Sequence, residues 1–215
     1  MTLPRVVLVT DPAFGDEVIL RCVRDVGRAL PRGSFGVQLR DKARPVVSLR
    51  LFAARLRDAT RATGAALFVN GHAGVARDVG ADGVHLGGGA GSVNEARAVF
   101  ARRAWVSVAA HTDDDVRRAC DEGADAILVS PIFRTRPTSL SGRHKMERGL
   151  DALRSARSIA RGGPFVYALG GVTEETAAAC GKAGADGVAL IRGLLASAEP
   201  SRVARSIDDA LARRW

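Results

Sequence analysis

Gly80-Ala81-Asp82-Gly83-Val84 recurs along the chain as Gly123-Ala124-Asp125-Ala126-Ile127 and as Gly184-Ala185-Asp186-Gly187-Val188. Each copy lies where an amphipathic stretch ends and a short β-rich run begins. A glycine at that point can close a helix in the left-handed conformation, and the aspartate turns the chain into the next strand. A repeated helix-to-strand joint indicates a repeated βα unit.

The same alternation of strand and helix runs through the whole chain. Strands are predicted at Arg5–Thr10, Phe35–Leu39, Ala66–Asn70, Gly83–Leu86, Trp105–Ala109, Ala126–Ser130, Phe165–Leu169 and Gly187–Ile191. Helices are predicted at 16–30, 46–63, 73–79, 92–102, 113–122, 150–161, 174–183 and 200–213. Eight βα units in 215 residues favour a single α/β domain spanning residues 1–215, a (β/α)8 TIM barrel.

A doubly wound open sheet uses the same alternation, and the first βα turn bears on that alternative. Residues 11–15 read Asp-Pro-Ala-Phe-Gly. They lack the Gly-x-Gly-x-x-Gly motif that holds a dinucleotide pyrophosphate. The closed barrel is therefore favoured.

Apolar segments and cysteines bear on the cellular environment. No stretch reaches the roughly 20 apolar residues of a membrane span, and residues 1–12 do not read as a signal peptide, so we expect a cytoplasmic protein without membrane contact. Cys22, Cys120 and Cys180 lie in predicted helices without a Cys-x-x-Cys pair, and we expect buried, reduced thiols. A homo-oligomer is compatible with these features.

The formal net charge of +9 raises nucleic-acid binding as a hypothesis. Only three of the 32 basic residues are lysines, and the arginines are spread among acidic residues rather than gathered on one stripe. One tyrosine and two tryptophans offer little for base stacking. The charge therefore favours small phosphorylated ligands over nucleic acid.

Three polar residues alternate with apolar ones along the second predicted strand. Gln38, Arg40 and Lys42 share one face at a spacing of two, while Val37 and Leu39 take the other. Burying such a face in a barrel is costly unless an anion binds there. Arginine and lysine are suited to phosphate, and glutamine can orient it. An exposed edge strand is the alternative, but a closed barrel has no edge.

A second anion site is predicted at the ends of strands 7 and 8. Gly170-Gly171 follows strand 7, and Ile191-Arg192-Gly193 ends strand 8. In barrels the loops after these strands commonly bind phosphate through backbone N–H groups. The segment 131–149, which contains Thr135 and several basic residues, is long enough to be a lid over phosphate, with a solvated loop as the alternative.

The candidate catalytic residues are His111 and Lys42. His111 follows strand 5, whereas His72 follows strand 3 and His85 lies inside strand 4, where a satisfied core histidine is the more usual role. No histidines or cysteines have metal-ligand spacing, so no metal site is predicted.

The chain resembles the thiamin phosphate synthase/TenI superfamily over nearly its whole length. The resemblance is carried by 8–12 (LVTDP), 37–42 (VQLRDK), 68–70 (FVN), 83–87 (GVHLG), 110–112 (AHT), 130–133 (SPIF) and 168–172 (ALGGV). It implies a barrel that binds thiazole phosphate or pyrimidine ligands. It also implies that Gln38, Arg40 and Lys42 face a pyrophosphate or its equivalent, that Asn70 faces the pyrimidine side, and that the strand 7 and 8 loops face the thiazole phosphate.

The sequence departs from the synthase pattern where Mg²⁺ would bind. The family's Asn-Asp reads Asn70-Gly71, and its Gln-Glu-Asp reads Gly88-Gly89-Ala90. Ala109 replaces a serine, and the lid's Thr-x-Thr-Lys reads 135–138 (TRPT). No cofactor is therefore expected, with Mg²⁺ needed only if the chain is a synthase.

Three functions follow from the resemblance. The first is a TenI-like, metal-independent tautomerase of thiazole phosphate, which needs an acid/base group. In this chain Pro131 stands where the family's tautomerase histidine would be, so His111 or His72 would have to act instead. The second is thiamin phosphate synthase, which joins pyrimidine pyrophosphate to thiazole phosphate. The third is a non-catalytic binder of thiamin-related phosphates.

Overall fold

The computed structural model describes residues 4–88, 90–100, 104–135 and 146–212. Its eight parallel strands close into a barrel in chain order, and β8 pairs with β1. The strands are β1 Val6–Val9, β2 Phe35–Leu39, β3 Ala66–Asn70, β4 Gly83–Leu86, β5 Trp105–Ala110, β6 Ala126–Val129, β7 Phe165–Leu169 and β8 Gly187–Leu190. The predicted (β/α)8 TIM barrel is confirmed.

Helices follow the strands, as the alternation predicted. They are α1 Asp16–Ala29, α2 Val46–Thr63, α3 Ala73–Asp78, α4 Val93–Ala98, α5 Asp113–Asp121, α6 Gly149–Ile159, α7 Glu174–Lys182, α8 Arg192–Leu195 and α9 Pro200–Ala212. Three details differ from the predicted helices. The helix predicted at 92–102 ends at Ala98, a short 3-10 helix covers Pro12–Phe14, and α8 was not predicted because a single turn has no helical period to read.

The three Gly-Ala-Asp joints have one geometry. Gly80, Gly123 and Gly184 all have positive φ, at 63°, 72° and 107°. The Asp125 Oδ2 atom accepts the Val106 N–H at 2.8 Å and an Arg97 N–H at 2.9 Å.

The same bonds recur at the other two joints. Asp82 accepts from Leu67 N and Arg57, and Asp186 accepts from Val166 N and Arg157. Each aspartate thus ties its own strand to the preceding strand and to the helix that comes before that preceding strand. The shared bond pattern accounts for the recurrence of Gly-Ala-Asp or its equivalent at these three joints.

The barrel interior is divided into an apolar and a polar half. The apolar half comes from β6, β7, β8 and β1, and consists of Ala126, Leu128, Tyr167, Ala189, Val7 and Val9. The polar half comes from β2 to β5 and contains Gln38, Asn70, His85 and Ser107, of which His85 is in register with both Asn70 and Ser107. Polar side chains inside a barrel are usually hydrogen-bonded or directed at a ligand. The candidate site therefore lies on the β2–β5 side of the barrel.

The cysteines lie in α1, α5 and α7, as predicted. Cys22 and Cys180 are buried, and burial raises the pKa of both thiols, to about 12 and about 11. Cys120 is only half-buried, which corrects the expectation that all three are buried. Across the described ranges, no helix is long and apolar enough to cross a membrane.

Candidate functional site

The second strand delivers its polar residues to different depths of the barrel. Gln38 is buried inside it, beside Phe68 and Ser107, around a small internal cavity. Arg40 follows the strand and is half-buried at the mouth, whereas Lys42 is exposed. The face predicted from the alternation is therefore real, but its three members do not lie in one layer.

The backbone of Arg40 is held by Thr10 at the end of β1. The Thr10 hydroxyl accepts the Arg40 N–H at 2.8 Å and donates to the Arg40 carbonyl at 3.2 Å. Asp41 points away from the mouth, since its carboxylate accepts the Arg44 Nε–H at 2.8 Å. The alternation of the strand thus continues past its end and keeps Arg40 on the mouth side.

The guanidinium of Arg40 lacks a complete set of acceptors. Burial lowers its pKa, and the charge of Asp11 acts in the opposite direction. Its Nη1 is buried and has no hydrogen-bond partner among the described residues. A buried donor without an acceptor costs about 1–3 kcal/mol. An anion bound at the mouth would supply the missing acceptor.

His85 and Asn70 form the floor of the mouth. His85 is buried, and its Nδ1 lies 2.9 Å from the Ser107 hydroxyl. Burial, and after it the charges of Arg40, Lys42 and His111, lowers the pKa of His85 to about 3. The ring is therefore neutral at physiological pH. It serves as a polar floor rather than as an acid.

His111 is positioned at two points above this floor. Its Nδ1 lies 2.7 Å from the Ser130 carbonyl, and its backbone N–H donates to Asp115 at 2.9 Å. Asp115 also completes the capping box of α5 with Thr112. The ring is thereby held at the strand 5 end, on the same mouth as Arg40.

A second cavity of about 270 Å³ lies at the ends of β7 and β8. It is lined by all of the residues predicted there, Thr135, Gly170, Gly171, Ile191 and Arg192, and also by Arg134, Thr173 and Gly193. Gly170 and Gly171 have positive φ, 96° and 66°. A Cβ on Gly171 would lie 2.7 Å from the Arg134 carbonyl, so only glycine allows this approach.

The strand 6 loop packs directly on the strand 7 loop at this cavity. The N–H groups of Ile132 and Phe133 donate to the carbonyls of Leu169 and Gly170, both at 3.0 Å. Thr173 was not predicted, although a threonine directly before the acidic first turn of α7 is a readable N-cap signal. Residues 136–145, which carry the rest of the predicted lid, lie outside the described residues.

The residues at the mouth do not fit a Mg²⁺ site. Magnesium requires oxygen ligands, usually carboxylates. Asp11 is fully buried, Asp41 is paired with Arg44, and Asp113 accepts from Ser155 and Arg148. Among the described residues, no three His, Cys, Asp or Glu side chains cluster as a metal site would need.

The structure is a single-domain TIM-barrel protein with basic side chains and a 270 Å³ cavity at the carboxyl ends of its strands. Residues 6–194 match the thiamine monophosphate synthase family. The chain therefore belongs to this family and is an enzyme of thiamin biosynthesis, as the resemblance implied.

Individual relatives support the assignment. A thiamine-phosphate synthase of Moorella thermoacetica is 33% identical over 207 residues, covering 96% of this chain and 95% of that protein. One of Methanoculleus marisnigri is 35% identical over 206 residues, covering 95% and 94%. The structure of thiamine phosphate pyrophosphorylase from Pyrococcus furiosus has a TM-score of 0.82 at 23% identity, covering 98% of this chain and 96% of that one, and supports the fold.

Proposed function

We propose that this barrel binds a phosphorylated thiazole and catalyses a metal-independent proton transfer on it, as a tautomerase. One observation carries the proposal: the described mouth offers guanidinium, amide and imidazole groups, but no carboxylate available for Mg²⁺. Tautomerisation moves a proton between two atoms of one molecule. It needs an acid/base group and binding contacts, and no metal.

The phosphate of the ligand would bind in the 270 Å³ cavity at the ends of β7 and β8. Within the described ranges, no loop hydrogen bond engages the N–H of Gly171 or of Gly193. Backbone N–H groups of this kind, with Arg134 and Arg192 at the rim, can hold phosphate oxygens. Thr135 adds a hydroxyl from the strand 6 loop.

The ring end of the ligand would then lie toward β2, where Arg40 and Lys42 can bind an anionic group. A thiazole carboxylate would supply the acceptor that Arg40 Nη1 lacks. Gln38 and Asn70 lie deeper and would orient the ring. In this arrangement the β2 residues bind a carboxylate where a synthase would bind pyrophosphate.

His111 is the acid/base in this proposal. Its Nδ1 faces a carbonyl, which can only accept a hydrogen bond, so the neutral ring carries its proton on Nδ1 and its lone pair on Nε2. That tautomer is the one a general base requires. Lys42 would assist by stabilising the negative charge that develops when a ring proton is removed.

Thiamin phosphate synthase is the second candidate. The names of the relatives, at 33% and 35% identity over nearly the whole chain, favour it. The β2 cations would serve a pyrophosphate equally well. However, the reaction would have to proceed without the carboxylates that normally hold the metal.

Two assays separate the candidates. The purified protein is mixed with the thiazole carboxylate phosphate tautomer and aromatisation is followed. Separately, it is mixed with pyrimidine pyrophosphate, thiazole phosphate and Mg²⁺, and pyrophosphate release is followed. Aromatisation alone supports the tautomerase. Magnesium-dependent pyrophosphate release overturns it in favour of the synthase, and binding of thiazole phosphate without either reaction favours a non-catalytic binder.

A further inference from the structure

Three arginines share one groove at the end of the barrel opposite the mouth. The groove has a volume of about 440 Å³ and lies between the α1–β2 turn and the α2–β3 turn. Its polar lining is Arg32, Arg57, Arg61 and Asp82. The Gly33 N–H donates to the Gly64 carbonyl at 3.2 Å, so the two turns form one continuous surface.

Two glycines place the outer guanidinium groups. A Cβ on Gly64 would lie 2.7 Å from Cζ of Arg32, and a Cβ on Gly80 would lie 3.2 Å from Nη2 of Arg61. Both glycines have positive φ, 73° and 63°. The guanidinium groups therefore rest directly on the backbone of these turns. Contact of this kind orients them before any ligand binds.

The positive charge of the groove is not matched by acidic groups. Arg57 Nη1 lies 2.7 Å from Asp82, whose carboxylate also accepts the Leu67 N–H. The Nε of Arg57 is buried without a hydrogen-bond partner among the described residues.

The other two arginines have no carboxylate partner among the described residues. Within the described part of the chain, no Asp or Glu forms an ion pair with Arg32 or Arg61, and the remaining residues include no Asp or Glu. Arg57 and Arg61 are also four residues apart on α2, a spacing at which like charges repel and weaken a helix. Three cations thus face one carboxylate that is already committed.

We propose that this groove is a second anion site, which binds a diphosphate group such as that of a nucleotide or inorganic pyrophosphate. Guanidinium forks match the geometry of phosphate oxygens. With Asp82 paired to Arg57, two cations remain unmatched; a singly charged anion would still leave one of them, whereas a diphosphate can balance both. The volume lies within the range of small-ligand sites, about 300–1,000 Å³. The site is separate from the mouth, which lies at the other end of the strands.

The test is calorimetric titration of inorganic pyrophosphate and of ADP into the full chain at physiological salt. Because the mouth also attracts anions, the titration is made in an Arg40→Gln, Lys42→Gln background. The groove is expected to bind in this background, in addition to any phosphate that binds in the β7–β8 cavity, which these two substitutions leave intact. Adding Arg32→Gln and Arg61→Gln should weaken binding at the groove at least tenfold. Tighter binding of ADP would assign a nucleotide, and equal binding would assign the diphosphate alone; both support the proposal.

The matched control is Arg24→Gln with Arg161→Gln in the same background. Both arginines are exposed and outside the groove, so this variant removes the same charge and should change affinity less than twofold. Thermal unfolding checks that both double variants are folded. Loss of all pyrophosphate and ADP binding in the Arg40→Gln, Lys42→Gln background, or equal weakening by the control, would overturn the proposal. Neither result depends on which reaction the mouth catalyses.

Discussion

The Nδ1 atom of His111 lies 2.7 Å from the backbone carbonyl oxygen of Ser130. This contact links the ends of β5 and β6 and fixes the tautomer of the His111 imidazole at the mouth. A carbonyl oxygen can only accept a hydrogen bond, so the neutral imidazole keeps its proton on Nδ1 as long as this contact is made. Because the tautomer of His111 is fixed in this way, substitution of His111 is a direct test of the proposed acid/base.

Replacement of His111 by alanine should abolish most of the tautomerase turnover. General acid/base groups contribute roughly 10²–10⁴-fold to rates, and we expect kcat to fall by that order with little change in the affinity for thiazole phosphate. His72→Ala tests the other histidine considered from the sequence and is expected to change kcat less than threefold. Steady-state kinetics of aromatisation measure both. Unchanged turnover in the His111 variant would remove it as the acid/base.

Replacement of Arg40 by glutamine should weaken binding of the carboxylated ligand. A hydrogen bond to a charged group contributes about 1.5–3 kcal/mol, which corresponds to roughly a ten- to hundredfold rise in Kd. Arg24→Gln, on the exposed face of α1, should leave Kd unchanged. Isothermal titration with the ligand distinguishes the two. Equal affinities for the wild-type protein and the Arg40 variant would show that the anion binds elsewhere.

Asp125 should be far more important for stability than an exposed aspartate. Its nearly buried carboxylate joins β5 and α4, and removing one partner of such a pair costs about 3 kcal/mol. Asp114→Ala breaks only an exposed pair with Arg117 and should cost less than about 1 kcal/mol. Urea unfolding measures both variants. Similar losses for the two would contradict the role given to the Gly-Ala-Asp joint.

The fold was predictable because its signals are local. The Gly-Ala-Asp joints and the alternation of β2 are each complete within a few neighbouring residues, and the structure confirms both. The residues that line the strand 7 and 8 cavity could be predicted because barrels place these loops together.

Other features depend on contacts between distant parts of the chain. The different depths of Gln38 and Arg40 follow from where β2 ends in the closed barrel. The groove joins Arg32 to Arg57 and Arg61, which the sequence separates by a whole strand and most of a helix. Neither arrangement leaves a pattern within a short window of sequence.

The burial of His85 should make stability depend on pH. Its pKa is lowered from 6.5 to about 3 by burial and then by nearby positive charges. Between these values the unfolded chain binds a proton that the folded protein does not, so stability is lost as the pH falls from about 6.5 toward 3. The loss from this group should approach about 1.4 kcal/mol per pH unit.

A glutamine at position 85 keeps a hydrogen-bonding group beside Ser107 but cannot titrate. Urea unfolding at pH 7 and pH 5 should therefore show a smaller loss of stability for His85→Gln than for the wild-type protein. His72→Gln, at a less buried position, should lose as much stability as the wild type. A His85 variant with the wild-type dependence on pH would show that this imidazole titrates normally.

The proposed reaction proceeds at a mouth that holds no metal. The most direct test is the rate of aromatisation of the thiazole carboxylate phosphate tautomer, measured with excess EDTA and again with added Mg²⁺. We predict the same kcat/KM in both conditions. A rate that disappears with EDTA and returns with Mg²⁺ would contradict the account.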